Sequence, residues 1–541
     1  MHSSSLRRTG VVVALAAGSL TQIALGQTFQ NVLTENTSFG FDLVNTRDCG
    51  FQVIGQTQTN PNFQVFAFAA RLTETGKVAW AKRYSSTTGA RSCGYSCFES
   101  TENNELVLGC EFFNTGLPVP GSRVVIRTDK DGVPIWCVRL TGSDNSVPLF
   151  VPNAPGFVST GVSELYKNRI AVIGRKRNTD GVVRIGLLSV LHRDGSLHFS
   201  KRYVPTGGSG AALDFIQARE AKDSSGEVLI LGTILISPNY YAIFAMRTDA
   251  DGKILWARSY RINDESSDLL GGGFDLAQNG DMLFSAARSS PPVAGIVPYK
   301  GLCGRIDALT GDLQWASTVE EFTNGQEAVL ALPDDSMLVA GITGQGFSTN
   351  HFDTAGAVLR VGSSGHTERL WSYGDFAFDS RAAFEAIAPI DCTGGYAMFG
   401  RTQEVALDRE AWTVRTDANF ASGCLEEELN AVGGTIQLGM QDELPTVIDD
   451  EGYMLDTAIA VDVGMSADFR CSTSRCVGDL NADQLVDDSD FVLFADAYNV
   501  LVCPTNPAYT RCPSDFNGDG IVEDADFVLF ASAYDQLICP P

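Results

Sequence analysis

The sequence predicts an all-β protein: a seven-bladed β-propeller of four-stranded blades, followed by a small α-helical EF-hand-like module at the C-terminus. Three observations predict it. A turn device, in which two short apolar runs flank an Asp-Gly pair and a tryptophan lies four residues past the glycine, recurs about every 57 residues. Apolar runs ending in glycine recur in the same phase and mark seven units. Near the C-terminus, two acidic twelve-residue loops, each followed by an apolar segment of helical length, stand 36 residues apart. Self-similarity at a fixed period is the mark of a repeat architecture and has to be recognised before any local reading.

Residues 1–26 predict a cleaved export signal. Arg7 and Arg8 form a basic start, Val11 to Leu25 is mostly apolar and uncharged, and Ala24-Leu25-Gly26 has the small–x–small form of a cleavage site. No later apolar run is long enough to predict a membrane-spanning helix. The remaining length exceeds one ordinary core, so two or more domains are expected. A formal net charge of −26 excludes a general nucleic-acid binder, whose phosphate contacts need a basic surface, and disfavours anionic membranes. It suits cation binding. The 13 cysteines are an odd number, so at least one is unpaired or joined to another chain. Export makes disulfides possible for the rest. The five histidines show no zinc spacing with them.

The repeated body is placed at residues 27–430. The clearest turn is Arg247-Thr-Asp-Ala-Asp-Gly-Lys-Ile-Leu-Trp256, where Gly252 can supply the positive φ of a tight hairpin. Copies lie at Gly76/Trp80, Gly132/Trp136, Gly195/Phe199 and Gly311/Trp315, and more loosely at Gly365/Trp371. The glycine-ended runs are Phe51–Gly55, Leu106–Gly109, Ile170–Gly174, Val228–Gly232, Met337–Gly341 and Tyr396–Gly400, with Met282–Ser285 in the remaining slot. Each unit reads as four strands; in the fourth they are Phe215–Glu220, Val228–Gly232, Tyr241–Arg247 and Lys253–Ser259. Short strands separated by turns at such spacing make an all-β fold, and four per unit over seven units make a propeller. The tryptophans are expected to fill the gaps between neighbouring blades. The last unit starts normally at Trp412-Thr-Val-Arg-Thr-Asp417 and then departs from the pattern, with Cys424 near the expected tryptophan. Thr28 to Thr34 precedes the first unit without a partner, so it is predicted to supply the outer strand of the last blade and to remove two exposed sheet edges.

Asp307-Ala-Leu-Thr-Gly-Asp-Leu-Gln-Trp315 resembles the tryptophan-docking repeat of quinoprotein dehydrogenases. The motif is structural in that family, so the resemblance implies a propeller and says little about a quinone cofactor. The turns do not fit a sialidase Asp-box, whose aspartate and aromatic stand at other offsets from the glycine. No nucleophile elbow or catalytic triad is readable, and acidic pairs are too numerous to single one out. Residues 431–472 break the repeat; Thr435–Leu438 and Met454–Val463 read as strands of a linker or small β-appendage.

The most specific signal fills residues 473–541. Asp479, Asn481, Asp483, Asp487 and Asp490 stand at positions 1, 3, 5, 9 and 12 of the first loop; Asp515, Asn517, Asp519, Glu523 and Asp526 do so in the second. Leu485 and Ile521 stand at position 7, where a backbone carbonyl would serve. This is EF-hand spacing, which wraps oxygens around a hard cation. Gly520 meets the sharp turn at position 6, where the first loop has Gln484. Duplicated loops ending in aspartate, each followed by one helix, resemble a type I dockerin. The resemblance implies two calcium ions held by these residues and attachment of a secreted protein to a cohesin-like partner. At the dockerin contact positions, 10 and 11, this chain has Asp488-Ser489 and Asp524-Ala525. The antiparallel helices of the dockerin arrangement imply the disulfides Cys503–Cys512 and Cys476–Cys539.

Together these readings give an exported or cell-surface propeller that binds a ligand or partner, for which a glycan is one candidate, and is attached through its calcium-dependent module. The competing reading is an extracellular polysaccharide-degrading hydrolase or lyase carrying a dockerin. A third is a structural envelope protein.

Overall fold

A computed structural model of the chain describes residues 28–472, 486–500, 514 and 521–534, apart from loop segments of which the longest are 113–121, 141–159, 290–298 and 344–353. The export signal proposed for residues 1–26 lies outside the described residues.

The fold is all-β. Strands β2–β5 (residues 37–86), β6–β9 (92–140), β10–β13 (160–204), β14–β17 (212–261), β18–β21 (269–319) and β22–β25 (328–373) form six antiparallel four-stranded units in chain order. Strands β26–β28 (381–416) make three strands of a seventh, and the fourth is β1 (Phe29–Thr34), paired antiparallel to β28 with Phe29 opposite Arg415. The expected closure by the N-terminal segment is therefore present. Units three and four touch along one parallel bridge, Arg184 to Ala212, which joins them into one ten-stranded sheet.

Each second strand is buried over most of its described length, and Leu106–Phe112 and Met337–Thr343 are buried throughout. Neighbouring units cover both of its faces, and this is why these strands read as unbroken apolar runs. The core is accordingly divided. Among the described residues it forms seven apolar clusters, one in each seam between neighbouring units, the seam of the last unit with the first included. The units thus follow one another around a closed circle.

The turn device joins each unit to the one before it. Asp249 Oδ1 accepts the N–H groups of Asp251 and Lys253 at 3.0 and 2.8 Å, and Gly252 completes the turn at φ +78°. The fourth-strand aromatic of one unit lies on the turn of the next. Trp80, Trp136, Trp256 and Trp315 donate their indole N–H to the carbonyls of Lys130, Arg193, Ala308 and Ser363 at 3.0–3.1 Å. Tyr84, Tyr203 and Tyr260 donate their hydroxyls to the turn-glycine carbonyls of Gly132, Gly252 and Gly311. In the last unit Phe420 holds the left-handed position at φ +68°, receives the Tyr373 hydroxyl on its carbonyl, and stacks on Trp371 at 4.0 Å. The aromatic expected near Cys424 comes instead from β1: Phe29 lies against Gly76.

Gly252 answers to two demands. Its φ disfavours any side chain, and a Cβ there would stand 2.7 Å from the Phe199 ring of the preceding unit. Gly252→Ala is expected to cost about 1–2 kcal/mol in the backbone and about 1–3 kcal/mol in overpacking. A lower midpoint in denaturant unfolding of the variant checks this.

Residues 426–472 correct the expectation of a linker or small appendage that begins at residue 431. They form seven short strands, β29 (Glu426–Leu429), β30 (Gly433–Thr435), β31 (Gly439–Asp442), β32 (Thr446–Asp449), β33 (Tyr453–Asp456), β34 (Ala458–Asp462) and β35 (Ser466–Ser472). Each pairs antiparallel with the fourth strand of a different unit, in the order six, five, four, three, two, one, seven. The segment is a belt that runs once around the rim, against the order of the chain, and gives every unit a fifth strand. Its last strand covers β1, so β1 is the fourth strand of its sheet and not the outer one. Belt acids pair with fourth-strand cations: Arg369 with Glu428 at 2.7 Å, Arg258 with Asp442 at 3.0 Å, Lys201 with Asp449 at 2.9 Å, Arg139 with Asp456 at 2.6 Å, and Lys82 with Asp462.

Cys93, Cys97, Cys110, Cys137 and Cys303 are buried free thiols, and burial pushes the Cys303 thiol up to about 12. Cys49 is disulfide-bonded.

Candidate functional site

The C-terminal loops end in two helices, α1 (Asp488–Val500) and α2 (Asp524–Tyr534). The repeated Phe-Val-Leu-Phe sequence puts Phe494 and Phe530 on the shared face. Both are buried, with ring centroids 5.2 Å apart. Tyr498, late in α1, donates its hydroxyl to Asp524 at the start of α2, and Tyr534, at the end of α2, donates to Asp488 at the start of α1. These crossed bonds fix the helices antiparallel and relate the two halves by an approximate two-fold axis.

The two aspartates at loop position 12, Asp490 and Asp526, are completely buried. Asp490 Oδ2 accepts the N–H of Asp487 at 3.0 Å, and Asp526 Oδ2 accepts that of Glu523 at 3.0 Å. Asp487 Oδ1 in turn accepts the N–H of Ser489 at 2.8 Å. The first loop thus closes on its helix as a reciprocal cap, which satisfies amides that a helix start leaves without partners. Val486 and Val522, each four residues before its position-12 aspartate, are buried, and Ile521 lies in an isolated β-bridge.

Of the predicted donors, Asp487, Asp490, Ile521, Glu523 and Asp526 are placed, at the ends of their loops. Asp479, Asn481, Asp483, Leu485, Asp515, Asn517 and Asp519 lie outside the described residues, as do Cys476, Cys503, Cys512 and Cys539. Among the described residues no group of three His, Cys, Asp or Glu side chains is placed to hold a metal. The donor set itself is carboxylate, amide and carbonyl oxygen, which suits a hard divalent cation such as calcium, and two buried carboxylates at the ends of the loops suit it as well.

A second set of polar groups lines the inner rim, and the sequence reading missed it. The first strands of several units carry a bulge, followed by a polar residue that accepts a backbone N–H from the first strand of the next unit. Asp42 accepts from Cys97 at 2.8 Å, Ser96 from Val162 at 2.7 Å, Gln217 from Phe274 at 2.6 Å and Asp275 from Ala331 at 2.9 Å. The recurring Phe41-Asp42-Leu43 and Phe274-Asp275-Leu276 was the available signal, a charge inside an apolar strand. Other buried acids on the strands also have partners that tie structure together: Asp214 with Arg184 at 2.9 Å, Glu385 with Arg401 at 3.2 Å, and Glu111 with the Tyr95 hydroxyl at 3.3 Å.

Burial raises Asp42 to about 6, against the lowering effect of its bonds from Cys97 and Leu43. A carboxyl raised on folding holds its proton in the native state while the unfolded chain has lost it. Its ionised form therefore costs stability above pH 6, and the cost is relieved as pH falls from about 6 to about 4. The expected size is about 3 kcal/mol. Asp42→Asn is expected to flatten that stretch of the stability–pH curve, as measured by denaturant midpoints at stepped pH.

No protein-family model and no curated protein sequence matches the chain. Among solved structures it is similar to the polysaccharide lyase Uly1, at 11% identity over 70% of this chain and 90% of that one, with a TM-score of 0.44. It is similar to the Penicillium chrysogenum α-L-arabinanase complexed with arabinobiose, at 10% identity over 59% and 91%, TM-score 0.35. It is also similar to the β-propeller domain of the Trilobed protease from Pyrococcus furiosus, at 6% identity over 71% and 97%, TM-score 0.37. No described helix is long and apolar enough to cross a membrane.

Proposed function

We propose that the chain is an exported, seven-bladed β-propeller that binds a ligand, carried on a calcium-held, dockerin-like module that attaches it to a protein partner at or outside the cell surface. The observation that carries this reading is the pair of crossed Tyr–Asp bonds, Tyr498 to Asp524 and Tyr534 to Asp488. Two loops of cation-binding spacing, set head to tail by their own helices, make a compact unit that presents duplicated surfaces. Such a unit suits attachment better than it suits catalysis. Seven seam clusters support the blade number. Calcium would be held by Asp479, Asn481, Asp483, the Leu485 carbonyl, Asp487 and Asp490, and by Asp515, Asn517, Asp519, the Ile521 carbonyl, Glu523 and Asp526. Its role there is to offset the repulsion among gathered carboxylates and to order the loops.

The test uses the full chain on a glycan array and in a polysaccharide degradation screen, both with calcium present. Retention on a glycan without release of sugar products is the expected result. Release of reducing ends or unsaturated products would replace the binding reading with the polysaccharide-degrading enzyme.

A further inference from the structure

The belt has a period of its own. Asp442, Asp449 and Asp456 are spaced by seven residues, and each ends a strand laid on a different unit. Seven residues thus carry the chain from one blade to the next.

Three features set this segment apart from the blades it covers. Its strands are short, and each is held by a single unit. Its side chains face largely outward: no residue of β30, β31 or β32 is buried. Among the described residues, Ala458 and Met465 are its only buried members of the seam clusters, and its other apolar side chains there, such as Val447 and Ile436, are only partly buried. Finally, three of its five ion pairs put the acid at the surface, with the Asp442, Asp449 and Asp462 side chains 80–84% exposed, where salt screens them; the Arg139–Asp456 pair is the most enclosed of the five. β30 carries no such pair; Ser317 faces Thr435 there.

We infer that residues 426–472 are a releasable strap, peeled from the ring one blade at a time from its C-terminal end, and that it serves as an extensible tether between ring and C-terminal module. The C-terminal module follows Ser472, so a pull on it reaches β35 first. Each further release frees about seven residues, or about 24 Å of chain. The whole strap spans about 160 Å when extended. The four-stranded blades and their seam clusters stay in place as it leaves. Use as a tether rests on the attachment reading above; peeling does not.

The test is single-molecule pulling on the full chain in calcium. One handle is at the C-terminus and the other is a clickable residue at Ser364, an exposed position in the turn before β25, the strand on which β29 lies. The expected trace shows successive releases of about 24 Å before any larger event, at lower force in 1 M than in 0.05 M sodium chloride. A single rupture with no preceding steps, or steps indifferent to salt, overturns the inference. Hydrogen exchange on the unmodified chain gives a second reading. Amides of β32 are expected to exchange well before those of Val228–Ser237 in the interior of the same sheet, and β30 to be the strand least responsive to salt. Equal protection of strap and interior overturns the inference independently of the pulling experiment. If the steps appear but calcium is not bound, peeling stands and the attachment reading fails.

Discussion

A chain lacking residues 28–34 is expected not to close its ring. β1 supplies the fourth strand of the last unit, so its loss strips β28 of a full strand of hydrogen bonds and leaves β35 without the strand it pairs with. Phe29 and Leu33 are fully buried in the seam cluster shared by the last and first units, among Phe51, Phe68 and Phe399. Phe29 also closes over the Gly76 turn, the place held elsewhere by a tryptophan of the preceding unit. Phe29→Ala alone is expected to cost about 3–5 kcal/mol, a large share of the roughly 5–15 kcal/mol that holds a typical protein folded. Thermal melts followed by circular dichroism check it. The point variant should melt earlier in one transition, and the deletion should show no cooperative transition or should fail to stay soluble. A deletion that melts with the parent chain would mean that the ring does not depend on β1.

Removal of calcium is expected to melt α1 and α2 while leaving the strands intact. Among the described residues of the two halves, the buried apolar side chains are Val486, Phe494, Val522 and Phe530, and a short module has little core to set against carboxylates crowded into two loops. The change is read as loss of helical signal on adding chelator and its return with calcium. Asp490→Ala and Asp526→Ala remove both a proposed ligand and the acceptor that caps the loop, whose loss by itself costs about 1 kcal/mol. Asp490→Asn separates the two effects, since it keeps an acceptor for the Asp487 amide and gives up the charge. It is expected to weaken calcium binding while keeping more helix than the alanine variant.

The repeated body was legible because each unit repeats the same demands. The turn glycine must take a left-handed φ, the aromatic after it must dock on the next turn, and the buried second strand must be apolar along its length. Even the closing strand could be read, since Thr28 to Thr34 was a strand with no partner and the last unit was one strand short. The belt escaped because its strands are only three to seven residues long and lie on the rim. No apolar alternation is imposed on a strand whose outer face is in water, and its signal is three acids seven residues apart, Asp442, Asp449 and Asp456, not a hydrophobic period. The inner-rim acceptors Asp42 and Asp275 escaped for a different reason. Their partners are backbone amides of another unit, and a backbone amide leaves no mark on the sequence. The two C-terminal helices were legible from the repeated Phe-Val-Leu-Phe after each acidic segment; the crossed Tyr498 and Tyr534 bonds were not, because they depend on how two helices are set against each other.

The proposed C-terminal module is built around its cation. Metal analysis of the full chain after exhaustive dialysis against trace-free buffer with calcium should find two calcium ions per chain, one in the Asp526→Ala variant, and none when Asp490 is also changed to alanine. A parent chain that carries no calcium under those conditions would contradict this reading.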